Sequence, residues 1–279
     1  MKAILNGVVT ENPAVSVMDR GFTLGDGLFE TIPLYGGKPF LLEKHLERIR
    51  QASEVIGLQI TFVDAAVAGG IAFLAKEAGV SRGVARLTVT RGEGPRGYGY
   101  SGAVNPTWVL TVEMYEPMAE SKRQIGFTLA PSSIIKNSRS PLSGVKSTSA
   151  LERVMMKAEA ERAGADEAFT LSDAGHVACG AAVNIFWARQ GRLETPSINC
   201  GILPGVTRGA IISLARQNGM EVAEGSFEPS SLAEADEVFV TNSLLEIVSV
   251  RQITGLGRWD KTHGPVVERL TASYRALIR

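Results

Sequence analysis

Residues 168–195 read AFTLSDAGHVACGAAVNIFWARQGRLET. Four short apolar runs stand here at Ala168–Leu171, His176–Cys179, Asn184–Ala188 and Leu193–Thr195. Ser172-Asp173-Ala174-Gly175 and Arg189-Gln190-Gly191 divide them, and such residues are turn formers. The runs therefore predict successive short strands. Before them, Leu151, Val154, Met155 and Ala158 share one helical face in a helix spanning 148–163. A strand is expected at Ile125–Ala130, then a Ser/Asn/Arg/Pro-rich loop at Pro131–Gly144. After them come a helix at Thr207–Asn218 and strands at Glu221–Phe227, Glu237–Thr241 and Ile247–Ile253. A last helix covers His263–Ile278.

The N-terminal half is built differently. Apolar runs flank Asn6-Gly7, a strong hairpin signal. Gly25-Asp26-Gly27 is a tight turn leading into a strand. Leu42, Leu46, Ile49, Ala52 and Ile56 recur at helical spacing, and Asp64–Ala78 predicts a second helix. Val84–Arg91 and Trp108–Met114 read as strands. Tyr115 to Lys122 is polar and contains Pro117, so the chain is read as residues 1–115, a linker at 116–124, and residues 125–279. Strands and helices do not alternate one for one, which favours an α+β fold over a doubly wound sheet.

Composition narrows the function. Hydrophobic residues make up 44% and charged residues 21% of 279, which excludes a disordered chain. Lys+Arg and Asp+Glu are both 29, so no global field calls for nucleic acid or an acidic membrane surface. No run reaches the ~18 apolar residues that span a bilayer. The opening residues lack a signal-peptide core, so a cytoplasmic protein is expected. Two cysteines, Cys179 and Cys200, suit a reducing compartment. His45, His176 and His263 have no ligand spacing, and no metal is expected.

Gly92-Glu93-Gly94-Pro95-Arg96-Gly97 matches GxGxxG after a strand, but a dinucleotide site needs a helix there. Pro95, Gly97, Gly99 and Gly102 forbid one. Other features point to an anion and an amine. Lys146 stands alone behind Gly144-Val145, where partial desolvation would free its amine for Schiff-base chemistry. Its ordinary reading is a solvated charge. Leu203-Pro204-Gly205-Val206-Thr207-Arg208 opens a helix, with Thr207 as N-cap and backbone N–H groups free for a phosphate. Its ordinary reading is a capped helix. Thr241-Asn242-Ser243 adds hydroxyls at a strand end. Arg48 would complete a phosphate cradle or be a surface arginine. The Gly94–Tyr98 loop would present Arg96 to a carboxylate or be a mobile hairpin.

Taken in order, these pieces resemble the fold-type IV pyridoxal-phosphate enzymes, the class IV aminotransferases and aminodeoxychorismate lyases. The segments are Asp19-Arg20-Gly21, Gly25-Asp26-Gly27, His45-Leu46-Glu47-Arg48, Arg91–Tyr98, Lys146, Asn184-Ile185-Phe186, Leu203–Arg208 and Thr241-Asn242-Ser243. The resemblance implies a homodimer of two-domain subunits, each with a small α+β N-terminal domain and a larger pseudo-barrel C-terminal domain. Pyridoxal 5′-phosphate would lie between them. It implies that Lys146 holds the cofactor and shuttles a proton. Arg48, Val206, Thr207 and Ser243 would hold the phosphate, and Arg96, Phe29 and Tyr98 would meet the substrate.

Gly27-Leu28-Phe29-Glu30-Thr31 and Gly94-Pro95-Arg96-Gly97-Tyr98 look most like 4-amino-4-deoxychorismate lyase. That enzyme releases pyruvate and forms 4-aminobenzoate, a folate precursor. The alternatives are an aminotransferase for a D-amino acid, a branched-chain amino acid or an amine, and a weakly catalytic cofactor-binding protein. Ser147-Thr148-Ser149-Ala150 departs from the lyases. Phe29 and Leu151 stand where the two best-known transaminases have tyrosine. Cys179 stands five residues before Asn184, where the family places a glutamate against the pyridine nitrogen. A thiol there implies a ring nitrogen left largely unprotonated. Otherwise Cys179 is a small core residue and another acid reaches the ring.

Overall fold

In a computed structural model, residues 2–103, 105–260 and 263–278 are described. They fall into two compact units. One comprises Met1–Glu116 and Val145–Ala150, the other Pro117–Gly144 and Leu151–Arg279.

The first unit opens with the expected hairpin. Strands β1 (Ala3–Leu5) and β2 (Val8–Thr10) meet at Asn6 (φ 49°) and Gly7 (φ 85°), the pair of positive φ values that a two-residue hairpin turn demands. A short helix α1 (Arg20–Leu24) follows, then β3 (Gly27–Tyr35), β4 (Lys38–Pro39), helices α2 (Leu42–Val55) and α3 (Asp64–Glu77), and strands β5 (Gly83–Thr90) and β6 (Thr107–Met114). The strands form one antiparallel sheet in the order β2-β1-β6-β5-β3-β4. Leu46 and Ile49 of α2 and Val67, Ile71 and Leu74 of α3 close over Leu28, Ile32, Leu87 and Leu110. Each such side chain contributes about 1.5–3 kcal/mol on burial. A Cβ on Gly70 would stand 2.7 Å from Ile4 and 2.8 Å from Leu110, so glycine lets α3 lie close against the sheet.

Residues 145–150 belong to this unit. The helix expected from Thr148 instead begins at Leu151. The reason is local. The hydroxyls of Thr148 and Ser149 donate to the Gly25 carbonyl at 2.8 and 3.0 Å. The Thr148 N–H donates to Gly27 at 2.9 Å, and the Phe29 N–H donates to the Lys146 carbonyl at 3.0 Å. Side-chain hydroxyls that satisfy backbone groups in this way compete with helix.

The second unit begins inside the expected linker. Residues 120–125 form helix α4 (Glu120–Ile125). Its buried Arg123 donates to the carbonyls of Leu245 and Ile247 at 2.9 and 2.5 Å, so this stretch is packed structure as well as connection. Then come β7 (Phe127–Pro131), α5 (Leu151–Arg162), β8 (Glu167–Leu171), β9 (Val177–Cys179), β10 (Asn184–Arg189) and β11 (Arg192–Pro196). The chain ends through α6 (Val206–Gln217), β12 (Val222–Gly225), α7 (Pro229–Ala233), β13 (Glu237–Asn242), β14 (Glu246–Ile253), β15 (Gly257–Arg258) and α8 (Pro265–Ile278).

Strand β9 pairs with both β8 and β10, which closes the ring β10-β13-β14-β7-β8-β9. Closure removes sheet edges. This is the barrel the resemblance implied, extended by β11 and β12 beyond β10. Phe127, Phe169, Ile185, Trp187, Val238, Val240 and Val250 join in one core of this unit, and the Trp187 Nε1–H finds Glu194 at 2.7 Å. Among the described residues, no helix is long and apolar enough to cross a membrane.

Candidate active site

In the first unit the site grows from β3. Alternation along the strand sends Phe29 to one face and Glu30 to the other. The Nζ of Lys146 lies 4.2 Å from the Phe29 ring centroid, and the Arg86 guanidinium lies 4.0 Å from it. Two cations thus share one aromatic ring. Lys146 is half-buried and is held in place by its backbone bond to Phe29.

Glu30 points into the core at 0% exposure. His45 and Arg48, three residues apart on α2, face it together. Arg48 donates Nε to one carboxylate oxygen at 2.8 Å and Nη2 to the other at 2.6 Å. His45 Nδ1 lies 2.7 Å from Oε2. Burial pushes the Glu30 carboxyl up, but the Arg48 charge and the bonds from His45 and Arg48 outweigh it and hold the group at about 2. Burial pushes His45 down; Glu30 opposes this, while the Arg48 and Lys146 charges reinforce it. A neutral imidazole facing an ionised carboxylate carries its proton on Nδ1 and donates it. Arg48, expected at a phosphate, is therefore 8% exposed and already paired with Glu30.

Arg96 and Tyr98 are both exposed on the loop after β5, Tyr98 at 89%. Among its described residues the loop contains no helix, in keeping with its prolines and glycines. Sequence reasoning missed Arg86. It sits on β5, between β3 and β6, where burial lowers its pKa and Glu113 partly offsets the shift. A charged residue inside a central strand was the available signal.

In the second unit, α6 starts one residue before its expected position. Its N-cap is Gly205, which offers no side chain, and Thr207 lies inside the first turn. Glycine fits closely there, because a Cβ would stand 2.1 Å from Asn184 Oδ1 and that side chain would have to shift. Asn184 Nδ2 in turn donates to the Leu203 carbonyl at 3.0 Å. Among the described residues, the N-cap of α6 thus offers no side chain to the first-turn N–H groups. Thr207 is buried in the first turn of α6. Ser243 follows β13, in a turn where Asn242 Oδ1 accepts from Leu244 and Leu245 at 2.9 and 2.7 Å.

Cys179 ends β9, paired with Thr170 on one side and Asn184 on the other. Its thiol is 4% exposed. Burial pushes its pKa up against the opposing charges of Arg153 and Lys136, so the sulfur stays protonated. Cys200 lies in the same small apolar cluster. The neighbouring acid, Glu167, is buried too. Its carboxylate accepts from the N–H groups of Ala168 and Ala181 at 2.7 and 3.0 Å, and burial raises its pKa.

The sequence profile of the amino-transferase class IV family matches residues 27–253. The chain belongs to this family. Aminodeoxychorismate lyase of Bacillus subtilis is 33% identical over 271 residues, covering 96% of this chain and 91% of that one. D-alanine aminotransferase of Bacillus licheniformis is 30% identical over 273 residues, with coverage of 97% and 94%. Among solved structures, the branched-chain aminotransferase of the thermophilic archaeon Thermoproteus uzoniensis, with norvaline, superposes at a TM-score of 0.91, with 26% identity and coverage of 100% and 94%. Class IV aminotransferases are enzymes that use pyridoxal 5′-phosphate. This family hosts lyases and aminotransferases on one fold.

Proposed function

We propose that this class IV enzyme is a lyase of the 4-amino-4-deoxychorismate lyase kind, releasing pyruvate and leaving 4-aminobenzoate. The observation that carries this reading over transamination is a buried thiol, Cys179, where burial disfavours the charged form. A neutral thiol is a poor partner for a pyridinium, which weakens the ring as an electron sink. Elimination that creates an aromatic ring has its own driving force and tolerates the weaker sink.

The donor set suits a phosphorylated aldehyde. An uncapped helix start with Val206 and Thr207, and the Ser243 hydroxyl, would take the phosphate, together with Arg48 as oriented by Glu30. When bound, pyridoxal phosphate supplies an aldehyde that accepts amines and a ring that withdraws electrons. The Lys146 amine would hold that aldehyde, then take a proton from the substrate carbon and return it at Nζ. Phe29 would back the lysine and exclude water from one side of it. Arg96, Tyr98 and Arg86 would meet substrate carboxylates. Val17, Met18 and Phe22, exposed at 71%, 57% and 76%, would be covered by a second copy in a homodimer.

The second reading is a class IV aminotransferase for a D-amino acid, a branched-chain amino acid or an amine. It is favoured by the aminotransferase relatives. One panel separates the readings. Holoenzyme is incubated with aminodeoxychorismate alone, and separately with amino acids plus 2-oxoglutarate or pyruvate. Pyruvate release without an acceptor is the expected result. Conversion of the bound cofactor to its amine form by an amino acid would instead establish an aminotransferase, and neither activity would leave a cofactor-binding protein.

A related expectation concerns Cys179→Glu. A charge-assisted hydrogen bond exceeds a neutral one by about 1–1.5 kcal/mol, so any transaminase activity should rise roughly tenfold. The absorption spectrum of the bound cofactor should change with it. An unchanged spectrum and rate would remove Cys179 from the cofactor's surroundings.

A further inference from the structure

We propose that Arg20 is a positioning residue whose buried guanidinium pins the backbone of residues 97–99, fixing the loop from which Arg96 and Tyr98 project. The proposal rests on the reading of Arg96 as a carboxylate contact and assigns a role to Asp19-Arg20-Gly21, which that reading leaves unused.

Arg20 is 4% exposed. Its Nη1 donates to the carbonyls of Gly97 and Gly99, both at 3.0 Å, and its Nη2 donates to Tyr98 at 3.2 Å. Three consecutive carbonyls therefore converge on one guanidinium. Its Nε donates to Asp26 at 2.9 Å. Asp26 also accepts from Arg91 Nε at 2.8 Å. Burial pushes the Asp26 carboxyl up, but the bonds from Arg91 and Arg20 prevail and hold it below its ordinary value.

Both ends of the clamp are anchored. Arg91 donates to the carbonyls of Gly57 and Ile56 at 2.6 and 2.8 Å, and stands 4.3 Å from the Tyr100 ring. Asp19 accepts from the Gly21 N–H at 2.7 Å and from the Thr90 hydroxyl at 2.8 Å. The Arg20 N–H donates to Gly92 at 2.9 Å. The loop closes down on the arginine stem, since a Cβ on Gly94 would lie 2.8 Å from Arg20 Cδ.

Gly94, Gly97, Gly99 and Gly102 would otherwise make this segment costly to order. Fixing it beforehand lowers the entropy lost when Arg96 engages a ligand. The planar fork of arginine can serve three carbonyls and a carboxylate at once, and a lysine cannot.

The test compares wild-type holoenzyme with Arg20→Lys, which keeps a cation beside Asp26. Gly97→Ala is the second variant. Its Cβ meets nothing within 4 Å, but φ +99° is strained for any L side chain, so it disturbs the same carbonyls without touching the core. Trypsin cleavage after Arg96, followed by mass spectrometry, reads the clamp without reference to activity. It should be roughly tenfold or more faster in both variants, because cleavage tracks the population of the open loop and hydrogen bonds to a charged group are lost. KM for the carboxylate substrate should rise by about tenfold or more with kcat within about twofold, the pattern of lost ground-state binding. Arg96→Met should raise KM in the same way.

Unchanged cleavage overturns the clamp. Faster cleavage with unchanged KM shows a purely structural bond and overturns the positioning role. An unchanged KM in Arg96→Met shows that the carboxylate reading has failed, and this proposal fails with it.

Discussion

Lys146→Ala should lower kcat/KM by at least about 10⁴ and abolish the yellow colour of the cofactor-loaded protein. A positioned general acid–base group contributes ~10²–10⁴, and loss of the covalent anchor adds to that. The fold should survive the change. Lys146 is half-buried, and its structural bond to Phe29 N–H is made by its backbone carbonyl. The loss includes the amine's contact with the Phe29 ring at 4.2 Å, about 0.5–2 kcal/mol. Steady-state rates, visible absorbance and a urea midpoint, measured on one preparation, separate chemistry from stability. A variant that stays yellow and active would place the reacting amine elsewhere.

The largest stability effect should come from Glu30→Gln. The change leaves the Arg48 guanidinium, 8% exposed, without its bidentate carboxylate. Breaking a buried pair on one side costs about 3–5 kcal/mol. Replacing both partners, as in Glu30→Gln with Arg48→Met, should recover part of the loss, because no uncompensated charge remains. The pH dependence follows from the same groups. Glu30 is depressed in the folded chain from 4.5 to about 2, so its contribution is complete above ~4.5 and is lost as pH falls toward 2. His45 is depressed below 6.5, so the unfolded chain takes up its proton first, and stability starts to fall below about that pH. Urea midpoints measured from pH 8 downward should therefore decline in two stages. The lower stage should vanish in Glu30→Gln. A wild-type midpoint that is flat across this range would contradict the charge assignment of the cluster.

The short strands around residue 184 were legible because turn residues punctuate them. The closure of the barrel came from the resemblance and not from local pattern, since it depends on Cys179 pairing with Asn184 while β9 also pairs with β8. Spacing on α2 puts His45 and Arg48 three residues apart, on one face. Their partner, Glu30, comes from a strand, and tertiary contacts of that kind leave no local pattern. The same holds for Arg20, whose acceptors lie 77–79 residues away. Thr207 as N-cap was a sound propensity reading that packing overrode: the helix starts one residue earlier, with Gly205 as its cap close against the Asn184 side chain. The helix expected at Thr148 failed for a related reason: the hydroxyls that usually start a helix instead satisfy the carbonyl of Gly25.

On the proposed function the Lys146 amine carries the cofactor. Holoenzyme treated with borohydride and digested should yield one peptide with the mass of a reduced pyridoxyl-phosphate adduct, and fragmentation should place that mass on Lys146. An adduct on another lysine, or none on a yellow and active enzyme, would contradict it.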